Sequence, residues 1–150
     1  MNREALITGA GGFVGRILRR RLSERGWTVR CCDVRVPAGE PGWFACDVSD
    51  SSRVDALMAW CGKKISHVFH LAAMTFVPET GRNPHRAFDV NLQGTVLLTD
   101  AVRHTNPSAR FVFIGSAEVY GPPQSLPMDE RHPINPTNPY AISKAAADLY

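Results

Sequence analysis

Short apolar runs alternate along the chain with longer stretches in which apolar residues recur at helical spacing. Ala5-Leu6-Ile7 predicts a first strand. The segment from about Gly12 to Arg25 predicts a helix, because Val14, Ile17, Leu18 and Leu22 share one face while Arg16, Arg19 and Arg20 point elsewhere. Thr28 to Cys32, ending at Asp33, and Trp43 to Cys46, ending at Asp47, read as the second and third strands. Ser49 or Asp50 is placed to cap a helix that runs to about Cys61. His67 to Leu71 is the fourth strand, a long helix is expected from Arg86 to His104, and Arg110 to Ile114 is the fifth strand. Prolines crowd the stretch from Gly121 to Pro139, which reads as a long ordered loop of the kind that carries function. Asn138 as N-cap and Pro139 at the first position then open a last helix. Strands separated by helices in this rhythm indicate an α/β protein whose parallel sheet is covered on both faces.

Composition adds limits. A chain of 150 residues with 44% hydrophobic and 21% charged content has the size and make-up of one globular domain. Its net charge of +3 is spread along the chain apart from Arg19-Arg20-Arg21, so the basic footprint of a nucleic-acid binder is missing. The start, Met1-Asn2-Arg3-Glu4, is polar, and glycines soon interrupt the apolar run behind it; neither a signal peptide nor a membrane span fits, and a cytoplasmic protein is expected. Cys31, Cys32, Cys46 and Cys61 show no CxxC spacing and read as small hydrophobes, so no metal or disulfide role is expected.

Candidate chemistry begins at Thr8-Gly9-Ala10-Gly11-Gly12-Phe13-Val14-Gly15, which follows the first strand and opens the first helix. A diphosphate favours a helix N-terminus, where unpaired N–H groups and the helix dipole attract negative charge and side chains would obstruct the approach. Gly9 would serve the tight turn, Gly12 the close contact with phosphate and Gly15 the packing of helix on sheet, with the spacing GxxGxxG rather than GxGxxG. Asp33, about 20 residues further on at a strand end, is placed to take both ribose hydroxyls of adenosine. A carboxylate there repels a 2'-phosphate and favours NAD over NADP, although Arg35 stands close by. Asp47-Val48 is placed to meet the adenine edge; equally, Asp47 is placed to cap the next helix.

Tyr140 and Lys144 stand four residues apart near the start of the last helix, so both side chains leave one face. An ammonium beside a phenol favours the phenolate, which then exchanges a proton with an alcohol while hydride leaves the same carbon. Ser116, at the end of the fifth strand, is placed to hydrogen-bond the reacting oxygen. This expectation requires that the Lys144 amine is not buried against a different partner.

The motifs together resemble the extended short-chain dehydrogenase/reductase family of nucleotide-sugar epimerases, dehydratases and reductases. The matching residues run from Thr8 to Gly15, then Asp33, Asp47-Val48, His70-Leu71-Ala72-Ala73, Asn91 to Thr95, Gly115 to Gly121 and Pro139 to Lys144, in the family's order over nearly the whole chain. The resemblance implies a Rossmann-type doubly wound sheet of order 3-2-1-4-5, with NAD across the strand ends at the switch between strands 1 and 4. It implies a cofactor lined by Gly9, Gly12, Phe13, Val14, Gly15, Asp33, Asp47, Val48, Leu71, Ala72, Ala73 and Asn91. It makes Ser116, Tyr140 and Lys144 both cofactor-facing and catalytic, and implies a homodimeric full-length form. Thr75 and Thr80 resemble substrate-facing positions, or else cap the following helix.

Members of the family oxidise a sugar hydroxyl, usually at C4, and then diverge. Glu118, two residues past Ser116, resembles the base that removes the C5 proton in 4,6-dehydratases, and 4-keto-sugar reductases carry an acidic residue near that position. Ala117 departs from the Asp that dTDP-glucose-type dehydratases place beside it, and Glu118 also reads as a solvated residue at a strand end. The expected function is therefore NAD-dependent nucleotide-sugar oxidation with dehydratase or reductase chemistry. The alternative is a non-catalytic dinucleotide-binding sensor or scaffold. Because the chain stops at Tyr150 inside the Tyr-x-x-x-Lys helix, it is expected to be an N-terminal fragment that lacks the C-terminal part of the family fold and does no catalysis unaided.

Overall fold

The computed structural model describes residues 3–150; Met1 and Asn2, part of the polar start, lie outside the described residues. Five strands, β1 (Glu4–Thr8), β2 (Thr28–Asp33), β3 (Trp43–Ala45), β4 (His67–His70) and β5 (Arg110–Phe113), form one parallel sheet in the order β3-β2-β1-β4-β5. This is the expected doubly wound order. Around it lie α1 (Phe13–Glu24), α2 (Ser51–Cys61), α3 (Val77–Arg82), α4 (Pro84–Phe88), α5 (Gly94–Thr105) and α6 (Pro139–Leu149).

The two sides of the sheet follow from the alternation of side chains along each strand. Leu6 of β1 joins Val54, Leu57 and Met58 of α2 and Leu98 and Val102 of α5 in one apolar layer, while Ala5 and Ile7 join Leu18 and Leu22 of α1 in the other. Cys31 and Cys32 divide in the same way, which buries two adjacent thiols at once. All four cysteines are free and buried. At the head of α5, Gly94 lets the helix sit directly on Val48; a Cβ at that position would approach Val48 Cγ2 to 2.8 Å.

The helix expected from Arg86 to His104 is built differently. Asn83 caps α4 by accepting from the Arg86 N–H, Pro84 takes the first position, and a π-type turn over Asp89–Gln93 joins α4 to α5. The wide turn carries one more residue than an α-turn and buries the neighbours Val90 and Asn91 together. The short helix α3 has no counterpart among the elements that the sequence predicts. Among the described residues no helix is long and apolar enough to cross a membrane.

Candidate functional site

A cleft of about 660 Å³ opens along the carboxyl ends of the strands, where the chain leaves β1 for one face of the sheet and β4 for the other. Its walls include the glycine turn, Asp33 and Arg35 after β2, Asp47 and Val48 after β3, Leu71 to Thr75 after β4, and Arg86, Val90 and Ile114. Two of the expected glycine features have a geometric counterpart here, the tight turn at Gly9 and the close seat of α1 at Gly15. Gly9 has φ of +69°, and a Cβ there would lie 2.7 Å from the Ala72 amide nitrogen. At Gly15 a Cβ would lie 2.3 Å from the Gly9 carbonyl oxygen, so α1 rests directly on the turn. Gly12 is the N-cap of α1 with no side-chain capping bond, which leaves the N–H groups of the first turn free beside the exposed Phe13 and Val14. Free N–H groups at a helix start, without an obstructing side chain, fit a diphosphate.

Asp33 is fixed by its neighbours: the N–H of Gly11 donates to Oδ2 at 2.9 Å and the N–H of Arg35 to Oδ1 at 3.3 Å. Asp47 does not cap α2. That task falls to Asp50, which accepts from the Arg53 N–H at 3.2 Å. Asp47 instead accepts from the Arg86 guanidinium and from the hydroxyl and N–H of Ser49, at 2.7 and 3.0 Å. Burial alone would raise this carboxyl, but the bonds from Ser49 and Arg86 outweigh it and hold Asp47 below the usual carboxylate range.

Behind the cleft floor a buried hydrogen-bond chain ties three elements together. The Ala72 N–H donates to Thr8 Oγ1 (3.3 Å), which lies 2.7 Å from His70 Nδ1; His70 Nε2 lies 3.1 Å from Thr95 Oγ1, and that hydroxyl donates to the Asn91 carbonyl at 2.7 Å. Since Thr95 spends its only hydrogen on Asn91, His70 donates from Nε2; in the neutral ring that burial enforces, Nδ1 is then the acceptor of the Thr8 hydroxyl. Burial, aided by the nearby Lys144 charge, pushes His70 down to about 3 and keeps the imidazole neutral.

The catalytic candidates stand beyond Ile114, outside the cleft wall itself. Asn138 caps α6 by accepting from the Ala141 N–H at 2.8 Å. Tyr140 is half-buried and Lys144 is 4% exposed. The Lys144 amine donates to the Ile114 carbonyl at 2.6 Å and lies 4.0 Å from the centroid of the Phe113 ring. This corrects the expected pairing of ammonium with the Tyr140 phenol: among the described residues the amine's hydrogen bond goes to the end of β5. A buried cation turns to the nearest carbonyl and aromatic face, and burial pushes Lys144 down to about 8. Ser116 accepts from the Glu118 N–H at 3.3 Å as cap of a single 3-10 turn, Ala117–Tyr120. Glu118 is exposed, and its Oε2 accepts from Asn138 Nδ2 at 3.4 Å, which joins this turn to the start of α6.

Two further expectations need correction. Thr80 is fully buried and its hydroxyl donates to the Val77 carbonyl at 2.8 Å, so it cannot face a substrate; Thr75 is exposed on the cleft wall. Asn91 does not wall the cleft. Its amide exchanges hydrogen bonds with the backbone of Met74 (2.8 and 3.1 Å) and donates to Ser143 Oγ (3.0 Å), fastening the loop after β4 to α6. Arg86 also belongs to the site: it walls the cleft and engages Asp47, a partner 39 residues away that no local spacing in the sequence reveals.

The profile of the NAD dependent epimerase/dehydratase family matches residues 5–150. The GDP-6-deoxy-D-mannose reductase of Pseudomonas aeruginosa is 34% identical over 99% of this chain and 46% of its own length. Among solved structures, the UDP-glucose 4-epimerase of Thermus thermophilus in complex with NAD superposes with a TM-score of 0.84 at 33% identity, over 98% of this chain and 49% of that one. RMD from Pseudomonas aeruginosa complexed with NADPH superposes with a TM-score of 0.80 at 32% identity, over 99% and 47%. The chain spans about half the length of these relatives.

Proposed function

The chain belongs to the NAD dependent epimerase/dehydratase family, and from that premise we propose that it is the cofactor-holding and catalytic portion of a nucleotide-sugar oxidoreductase. The observation that supports this most is the convergence on one cleft of an uncapped helix start and two carboxylates at successive strand ends. In this reading the free N–H groups of α1 hold the diphosphate of NAD, Asp33 its adenosine ribose, and Asp47 and Val48 the adenine edge, with Leu71 to Ala73 lining the remainder. NAD, when bound, accepts the hydride from the sugar carbon. Asp33 favours NAD over NADP, and the four free cysteines suit a cytoplasmic setting.

Tyr140 takes the proton of the sugar hydroxyl, at C4 in this reading, while Ser116 donates a hydrogen bond to the same oxygen. The ammonium of Lys144 has three N–H groups, of which Ile114 engages one. The others remain for a ribose hydroxyl of the cofactor. Glu118 then acts at C5, as base in a 4,6-dehydratase, or, in a reductase, assists delivery of hydride from the reduced cofactor to a 4-keto sugar. Dimerisation of the full-length form through α5 and α6 belongs to the same proposal.

The test is turnover of GDP-, UDP- and dTDP-sugars by the full-length protein with NAD and with NADP, beside Tyr140→Phe. Loss of about a hundredfold or more in kcat is expected for the variant. Nucleotide binding without turnover of any sugar would favour the sensor or scaffold reading instead.

A further inference from the structure

We infer that Arg86 is a positioning residue for adenine recognition: it orients the Asp47 carboxylate in the cleft and thereby makes the pocket prefer adenine to a base with an oxygen in place of the exocyclic amine. The inference rests on the dinucleotide reading above.

Three groups from two distant segments close a ring. Arg86, on α4, donates from one guanidinium nitrogen to Asp47 Oδ2 and from the other to Ser49 Oγ at 2.6 Å. Ser49 in turn gives its hydroxyl hydrogen to Asp47 Oδ1 at 2.7 Å, and its N–H donates to the same oxygen at 3.0 Å. Every donor has one direction in this ring, because Ser49 can accept from Arg86 only with a lone pair while its single hydrogen goes to Asp47. The carboxylate plane is thus set by two residues on its two edges. Oδ1 has both lone pairs engaged by Ser49, whereas Oδ2 keeps one for a further donor. Asp47 and Arg86 both wall the cleft. An ionised carboxylate rewards an N–H donor and repels a carbonyl oxygen, so an oriented Asp47 discriminates between an amino and an oxo substituent. A carboxylate free to rotate gives up most of that discrimination. The forked guanidinium is the group that reaches both Asp47 and Ser49 at once, which an ammonium cannot do with the same geometry.

The experiment is calorimetric titration of the protein with ADP and with IDP, its hypoxanthine counterpart, for wild type, Arg86→Ala and Arg86→Lys, with a thermal melt of each variant. Wild type is expected to prefer ADP by about tenfold, the scale of one hydrogen bond to a charged group. Arg86→Ala is expected to bring the ratio of the two Kd values close to one, mainly through weaker ADP binding, and Arg86→Lys to restore part of it. Equal weakening of both nucleotides, with the wild-type ratio kept, overturns the inference and makes Arg86 a support of the fold only. Should Arg86→Ala not fold, Arg86→Lys decides alone: a reduced ratio supports the inference and an unchanged ratio overturns it. Binding of neither nucleotide by wild type overturns the dinucleotide reading, and this inference with it.

Discussion

The Lys144 amine is held where a charge is expensive. Burial lowers it from an ordinary value near 10.5 to about 8, and each unit of such a shift corresponds to about 1.4 kcal/mol against the charged form. Removing the charge should therefore stabilise the fold. Lys144→Met is expected to raise the unfolding free energy at pH 7 by about 1–3 kcal/mol, less whatever the Ile114 bond and the Phe113 face return; denaturant melts read this directly, and a lower midpoint would show that those contacts outweigh the burial. The i, i+4 spacing of Tyr140 and Lys144 was legible in the sequence, as was their common face. The acceptor that the amine chooses was not, because Ile114 lies 30 residues away and meets α6 only through the tertiary fold. Thr80 teaches the same lesson: a threonine that bonds its own helix backbone and one that faces a ligand look alike in sequence.

Among the elements, the π-type turn Asp89–Gln93 carries the most consequence for the site, since it turns Asn91 inward to clasp Met74 and Ser143. Asn91→Ala would leave the Met74 N–H and carbonyl without their partner, at a cost of about 2–4 kcal/mol. Hydrogen exchange at the Met74 amide is expected to quicken well beyond the change at β1 amides; parallel changes everywhere would mean that Asn91 supports global stability alone. The strands were readable to within about a residue at each end, because short, largely apolar runs leave few alternatives, whereas their order followed from the family resemblance. The broken helix was not, for one inserted residue hardly disturbs a 3.6-residue period, and Asn83-Pro84 announces a start two residues earlier than the apolar face does.

For the molecule as a whole, two buried bases shape stability against pH. His70 has a folded value of about 3 against an ordinary 6.5. Between these values the unfolded chain binds the proton that the folded chain refuses, so stability is present above about 6.5 and is lost as pH falls toward 3, by about 1.4 kcal/mol per unit. Lys144 works the same way in the alkaline range: between about 8 and 10.5 only the unfolded chain keeps that proton, and stability contributed by this group rises with pH. Melting temperatures from about pH 4 to 10 are expected to show both limbs. His70→Gln should flatten the acid one; an undiminished slope in that variant would assign acid sensitivity to other groups.

The contact of α5 with Val48 gives the second layer a hold on the cleft. With only hydrogen at position 94, the isopropyl group of Val48 has room to stand back from the cavity; a methyl group introduced there would meet Val48 Cγ2 at 2.8 Å and press it forward. The dimensions of the inner wall are thus set from behind, by a buried residue that is not itself part of that wall.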